Sequence, residues 1–330
     1  MTYLTGESSV IHDWTEIDFV NFVYNGVYFT GGTGTSLING ATITCVPGLN
    51  INVIINEENT LPDGRFLLLG NPKTKFTGSF SDVASDIYTS KYSFYFRGDN
   101  LQQKFRWENA EVPNVSSIIG SQTVSGWAKI DGDHITKDGF IIENYHSNGG
   151  FALGYDASSD VWRWKIDTDT TAAKIVDSTS KPTIDDAGIW TQVTGVWDAP
   201  NATLKIYING IFENETIGVT GNRLASTQPL RIGAETPAGG EMKGDINNVV
   251  IWDEALSDEE VLENFNSGTP YNVLVEGPKI GNIVFWSKVG DDSNWDGTDW
   301  FIKDQVSGKK GTSSFSSTIM TYSSRVKDAP

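Results

Sequence analysis

From Thr203 the chain alternates with period two, Thr203-Leu204-Lys205-Ile206-Tyr207-Ile208. Asn209-Gly210 then supplies the positive φ angles of a tight hairpin, and Ile211-Phe212 begins the return strand. Apolar stretches at Leu230-Arg231-Ile232-Gly233 and at Gly244-Asp245-Ile246-Asn247-Asn248-Val249-Val250-Ile251-Trp252 read as further strands. Ser257, with Glu260 three residues on, is a capping box, so one short helix should open there. In Val161-Trp162-Arg163-Trp164-Lys165-Ile166, the pattern puts Trp162, Trp164 and Ile166 on one face and Arg163 and Lys165 on the other. A core strand with its charged face in water fits this better than a sugar-stacking platform, because sandwiches bury one face of each strand.

The same patterning divides the chain. Residues 1–88 hold hairpin signals of their own: 22–24 and 27–29 flank Asn25-Gly26, 37–38 and 41–43 flank Asn39-Gly40, and 51–55 and 65–69 are joined by a loop ending in Pro62-Asp63-Gly64. Residues 79–90 are polar and pattern-poor and read as a linker. The expectation is a small N-terminal β domain (1–88), suited to docking or attachment, followed by a larger β-sandwich (89–330).

Several strings resemble the laminin G-like, concanavalin A-like jelly roll: residues 92–100 (Tyr-Ser-Phe-Tyr-Phe-Arg-Gly-Asp-Asn), Val124-Ser125-Gly126-Trp127-Ala128-Lys129, Trp190 to Asp198, and the stretch from Gly244 into the capped helix. Ile283-Val284-Phe285-Trp286 and Asp304-Gln305-Val306-Ser307-Gly308 are similar to segments that normally come first in these modules, and here they come last. The resemblance therefore implies an all-β fold, circularly permuted, with strands from 280–330 completing the sandwich. The other reading is the start of a second, truncated module, for which the tail is too short to bury a core.

Composition narrows the function. Aromatic residues make up 12% of 330 and glycines number 34, a balance that suits many short strands. No apolar run approaches the roughly 18 residues of a membrane helix. A formal charge of −18 argues against nucleic acid and anionic membranes as partners. The single cysteine, Cys45, excludes an internal disulfide and suits assembly in a reducing cytoplasm; residues 1–7 lack the features of a secretory signal.

Candidate chemistry is sparse. Glu16-Ile17-Asp18-Phe19-Val20-Asn21 approaches the E-x-D-x-x-E of laminarinase-type glycanases, but Asn21 stands where the acid/base should be and an amide cannot protonate a leaving group. His12, His134 and His146 have no metal-ligand spacing. Asp292-Ser293-Asn294-Trp295-Asp296-Gly297 fits the first half of a calcium loop, with Asp292, Asn294, Asp296 and Asp299 as candidate ligands, although Lys303 stands where the closing Glu is expected. An acidic surface turn explains the string equally well. Trp295 and Trp300 lie in loop-like sequence and, with Trp107 and Tyr145, are the candidate ring-stacking residues for a carbohydrate. Laminin G-like modules of this kind occur in tailed-phage structural proteins. The resemblance therefore implies a non-enzymatic virion protein (decoration, fibre or tail-associated), with other virion proteins and a cell-surface glycan as partners and a homotrimer as the default assembly. The alternatives are a concanavalin A-like glycan-degrading enzyme and a secreted bacterial adhesion module.

Overall fold

The computed structural model divides into two compact units, Met1–Tyr88 and Thr89–Pro330. It describes the strand backbones 20–24, 27–30, 41–44 and 50–53 of the first unit, and residues 90–98, 103–132, 138–145, 149–170, 174–182, 188–233, 240–313 and 320–330 of the second.

In the first unit β1 (Val20–Tyr24) pairs antiparallel with β2 (Val27–Thr30), Tyr24 opposite Val27, while Asn25 and Gly26 lie outside the described residues. β3 (Ala41–Thr44) pairs with β4 (Asn50–Val53), so the strand at 51–53 has 41–44 as its partner. The segments 37–38 and 65–69, Glu16, Asp18, His12 and Cys45 lie outside the described residues.

The second unit contributes, in chain order, β5 (Ser93–Arg97), β6 (Phe105–Trp107), β7 (Gln122–Ile130), β8 (Gly139–Glu143), β9 (Phe151–Asp156), β10 (Val161–Ile166), β11 (Lys174–Asp177), β12 (Thr191–Asp198) and β13 (Thr203–Ile208). There follow β14 (Ile211–Ile217), β15 (Leu230–Ile232), β16 (Lys243–Trp252), β17 (Ile283–Ser287), β18 (Asn294–Trp295), β19 (Trp300–Lys303), β20 (Lys310–Ser313) and β21 (Arg325–Val326). They form two antiparallel sheets. One runs β11-β10-β9-β8-β15-β6-β20-β19-β18; the other runs β14-β13-β12-β7-β16-β5-β21, with β17 also on β16. The inner faces meet in one core, to which Phe94, Val124, Val193, Ile206 and Ile246 come from one sheet and Trp107, Leu153, Trp164 and Ile232 from the other. That is a jelly-roll sandwich, its central strands β7, β9 and β16 covered on both faces.

Local chemistry follows the sequence closely. Asn209 (φ 52°) and Gly210 (φ 77°) make the β13–β14 turn, and the Asn209 side chain accepts the Gln192 backbone N–H at 2.9 Å. Glu260 N–H donates to Ser257 Oγ (3.2 Å) and Ser257 N–H to Glu260 Oε2 (2.8 Å), which opens the helix Asp258–Phe265. This helix covers the outer face of the β14-to-β21 sheet: Phe265 stacks on Trp127 at 5.6 Å, and Asn264 Nδ2 donates to Ser125 Oγ.

The tail joins both sheets of the same sandwich. β17 pairs with β16 and β21 with β5 in one, and β20 pairs with β6 in the other. Buried Asp304 fixes the crossing, its Oδ1 accepting the N–H groups of Trp286 (3.1 Å) and Val306 (3.0 Å). Asp291 does the same for the start of the unit, accepting the N–H groups of Lys91 and Tyr92.

Candidate functional site

A pocket of about 160 Å³ lies on the outer face of the other sheet, over β8 to β11. Its origin is in the strand patterns. Trp162, Trp164 and Ile166 are buried in the core, so Arg163 and Lys165 point outward. Their partners across β9 are Gly154 and Ala152, and Phe140 on β8 also faces Gly154. Two small residues between larger ones leave a depression, with Phe140 on one side and Ile175 on the other. The floor cannot be filled cheaply: a Cβ on Gly154 would lie 2.2 Å from the Gly139 carbonyl oxygen.

The rim is polar and fixed. Arg163 holds Asp177 with two bonds, Nε to Oδ1 at 2.7 Å and Nη2 to Oδ2 at 2.9 Å, and also bonds Asp156. Lys165 Nζ lies 3.4 Å from the centroid of the Tyr145 ring. Asp156 and Asp138 both brace the β9–β10 turn: Asp156 Oδ1 accepts from Ser158 Oγ (2.7 Å) and Ser159 N–H (2.9 Å), and Asp138 accepts the Ala157 N–H (2.8 Å). Burial pushes the Asp156 carboxyl up, but the bonds from Ser158 and Ser159 and the Arg163 charge outweigh it and hold the group below the usual carboxylate range. A carboxyl held ionised in this way does not serve as a general acid. Burial, reinforced by the bond to Asp160, raises the Tyr155 phenol, which stays protonated. The arrangement offers an aromatic ring, apolar walls and fixed charged donors and acceptors, which is a binding inventory.

Of the sequence candidates, Tyr145 lines this pocket. The three tryptophans do not join it. Trp107 is 0% and Trp300 2% exposed; Trp107 packs edge-on to Phe285 (5.1 Å) and Trp300 to Phe94 (5.0 Å). Trp300 Nε1 donates to the Thr321 carbonyl, and Trp295, half-buried, packs against Trp300 at 5.4 Å. Trp107 and Trp300 are core, and the expectation that they stack on a ligand is corrected; Trp295 is only partly covered, and the segment read as loop is the β18–β19 hairpin, which pairs with β20.

That hairpin also places each residue of the calcium string. Asp296 Oδ1 accepts the Thr298 and Asp299 N–H groups at 2.8 Å, closing the turn, and Asp299 Oδ1 accepts from Ser313 Oγ. Asp292 faces Lys288 at 3.6 Å, and Asn294 pairs with Phe301 in the ladder. Among the described residues no group of three or more carboxylate, imidazole or thiol side chains is placed to hold a metal ion. Asp131 accepts the Tyr95 hydroxyl; Asp133, His134 and His146 lie outside the described residues.

Sequence reasoning missed Phe140, Asp138 and Asp156, and placed Arg163 and Lys165 in solvent without a role. The available signal is the Ala-x-Gly alternation of Ala152 and Gly154, which removes side chains from one face of a strand.

Residues 102–262 match a laminin G-like family model, described as the concanavalin A-like lectin/glucanases superfamily. With the two-sheet architecture, this makes the second unit a laminin G-like, concanavalin A-like jelly roll. Among solved structures, a candidate carbohydrate binding protein from Bacteroides ovatus is similar at 14% identity with a TM-score of 0.50, covering 68% of this chain and 58% of that one. This chain thus spans less than two thirds of that protein. A heptameric SAP-like pentraxin from Limulus polyphemus (14% identity, TM-score 0.41) is covered over 96% of its length by 68% of this chain. The CBM40 of a Ruminococcus gnavus sialidase, bound to α2,3 sialyllactose, has 12% identity and a TM-score of 0.39, with 53% of this chain and 97% of that one covered. At these identities the likeness is one of fold. No curated protein matches the chain.

Proposed function

We propose that this is a non-enzymatic binding protein whose jelly roll holds a carbohydrate in the pocket beside Tyr145, and that it is carried on a tailed-phage particle as a decoration, fibre or tail-associated protein. The observation that carries the binding reading is the pocket itself, built from small residues in the sheet and rimmed by Tyr145, Lys165 and the braced Arg163. The family description covers lectins as well as glucanases, and the binding side is favoured by Asp156, whose carboxyl is held low and spent on a turn. The virion placement rests on the single cysteine and on the resemblance to phage modules.

A glycan array probed with the full chain and with Tyr145→Ala tests the first claim. Expected is a defined set of glycans whose affinity drops about tenfold in the variant, the loss of roughly 1.4 kcal/mol of apolar contact. Uniform binding to no glycan would sink it. Running the array with calcium and with chelator tests a role for Asp292, Asn294, Asp296 and Asp299. Mass spectrometry of purified particles tests the second claim: a fixed copy number supports it, and absence moves the protein to a free or secreted adhesion role.

A further inference from the structure

We propose that the outer face of β14 docks an extended segment of another protein, one that presents a basic residue between two apolar ones. Among the described strands β14 is the last of its sheet and pairs with β13 alone. The register with β13 sorts its side chains. Asn214 and Thr216 stand opposite the core residues Ile206 and Leu204 and turn inward, where they bond the Asp177 and Ile175 carbonyls of β11 at 2.9 and 2.8 Å. Phe212, Glu215 and Ile217 stand opposite Tyr207, Lys205 and Thr203 and turn outward. The seam to the other sheet is thus closed. The open face reads apolar, acidic, apolar, with Phe212 44% and Ile217 73% exposed.

The helix Asp258–Phe265 extends this face. Asp258 accepts the Tyr207 hydroxyl at 2.7 Å, and the Tyr207 ring meets that of Phe212 at 5.7 Å. Leu262, one turn further on and 55% exposed, covers Gly210, where a Cβ would lie 3.1 Å from its Cδ1. Edge strands are commonly guarded by lysine or proline, and β14 has neither. Its charges are Glu213, committed to the Thr179 and Ser180 N–H groups, and exposed Glu215. Lys205, opposite Glu215, gives its ammonium to Asp258 at 3.1 Å, and Glu259 and Glu263 add exposed carboxylates on the helix. This charge decides the occupant. A second copy of a chain of net charge −18 would set like carboxylates against one another. A segment with a lysine or arginine beside Glu215 and apolar neighbours at Phe212 and Ile217 complements the face in both respects. The surface shares no residue with the Tyr145 pocket and does not depend on it.

The test is an NMR titration of the full chain with the end-blocked peptide Thr-Leu-Thr-Arg-Thr-Leu-Thr, whose leucines and arginine share one face when it is extended. Its length exceeds the roughly 17 Å that separates Phe212 from Ile217 along the strand. Two control peptides carry glutamate for the arginine, or serine for both leucines. Expected are saturable shifts at the β14 amides, an affinity about tenfold lower for each control peptide, and weakening by added salt. Ile217→Ser and Leu262→Ser should each weaken binding severalfold, and Glu215→Gln should remove most of the salt dependence. Tyr145→Ala should bind the peptide unchanged. Absence of saturable shifts, equal binding of the glutamate peptide, or binding that Ile217→Ser leaves intact overturns the proposal. So does a dimer of the chain alone, seen by sedimentation and broken by Ile217→Ser, which would give the face to a second copy. Should Phe212→Ser lose its thermal transition, the more exposed Ile217 on the same face decides the matter.

Discussion

Gly195 lies flat against the indole of Trp164: a Cβ built on Gly195 would sit 2.4 Å from both Cγ and Cδ2 of the ring. The two belong to different sheets, β12 and β10, so this contact sets how closely the sheets approach at the centre of the sandwich. Trp164 is fully buried and has no room to yield. Gly195→Ala should therefore cost about 1–3 kcal/mol, the usual penalty of overpacking. Chemical denaturation would check this, and an unchanged midpoint would show that the sheets separate more easily than the packing implies.

Trp300 and Trp107 are predicted to matter for stability rather than for recognition. Truncating either to alanine removes a buried indole and should cost about 3–5 kcal/mol. At temperatures where the variants remain folded, their glycan profiles should match the parent's. A lost glycan signal in a folded Trp107→Ala protein would restore a binding role to that ring.

The scaffold was readable because its signals are local. Period-two alternation from Thr203, the Asn209-Gly210 turn and the Ser257–Glu260 box each specify an element without reference to the rest of the chain. Burial of a loop-like tryptophan is not local. Trp300 is hidden because β19 lies between β18 and β20 and because Phe94 arrives from the opposite sheet, and neither fact is written near residue 300. The calcium string is ambiguous for a related reason: Asp296 closes a two-strand hairpin, and the same D-x-N-x-D-G spelling serves a turn as readily as an ion. Tyr145 reaches the pocket only because β8 and β9 pair in a register that sets Phe140 over Gly154, which no spacing along the chain discloses.

Arg223 is an arginine 2% exposed whose guanidinium caps the chain around the short helix Pro113–Ser116, Nε donating to the Ile118 carbonyl (2.8 Å) and Nη2 to that of Val115 (2.7 Å). Its charge also lies 5.7 Å from the Phe151 ring. Arg223→Ala removes a donor from each of two carbonyls and opens a cavity, so a loss of about 3 kcal/mol is expected by denaturation. A near-neutral result would mean that removing the buried charge offsets the lost bonds.

Acid should destabilise the sandwich. The Asp156, Glu213, Asp258 and Asp328 carboxyls all lie below their ordinary values. Burial opposes the shift at Asp156, Glu213 and Asp328 and is outweighed by hydrogen bonds, from Thr179 and Ser180 at Glu213 and from Lys129 and Trp190 at Asp328. At Asp258 the Tyr207 hydroxyl is the main cause. A depressed carboxyl contributes stability that is present above its unfolded value, 3.8 for Asp and 4.5 for Glu, and is lost as pH falls through the folded one. Asp245, raised by burial, opposes the trend. The expected result is a Tm that falls steadily below about pH 4.5; a flat Tm from pH 5 to 3 would contradict it.

Lys104 should give the opposite signature in base. It is buried just before β6, and burial, with the Arg231 charge next to it, pushes its ammonium from 10.5 down to about 8, against the pull of Glu143 and Glu241. Arg231 and Glu143 form a buried ion pair of 2.8 Å. Because the folded value is the lower one, the unfolded chain binds more protons between about pH 8 and 10.5, so this residue's contribution to stability improves as pH rises through that window. Lys104→Met removes the titration while keeping much of the volume. The stability of the parent relative to this variant should therefore climb from pH 7 to pH 10 and level off near the unfolded value. Parallel profiles for the two proteins across that range would show that Lys104 stays fully charged in the fold, its burial balanced by the two glutamates.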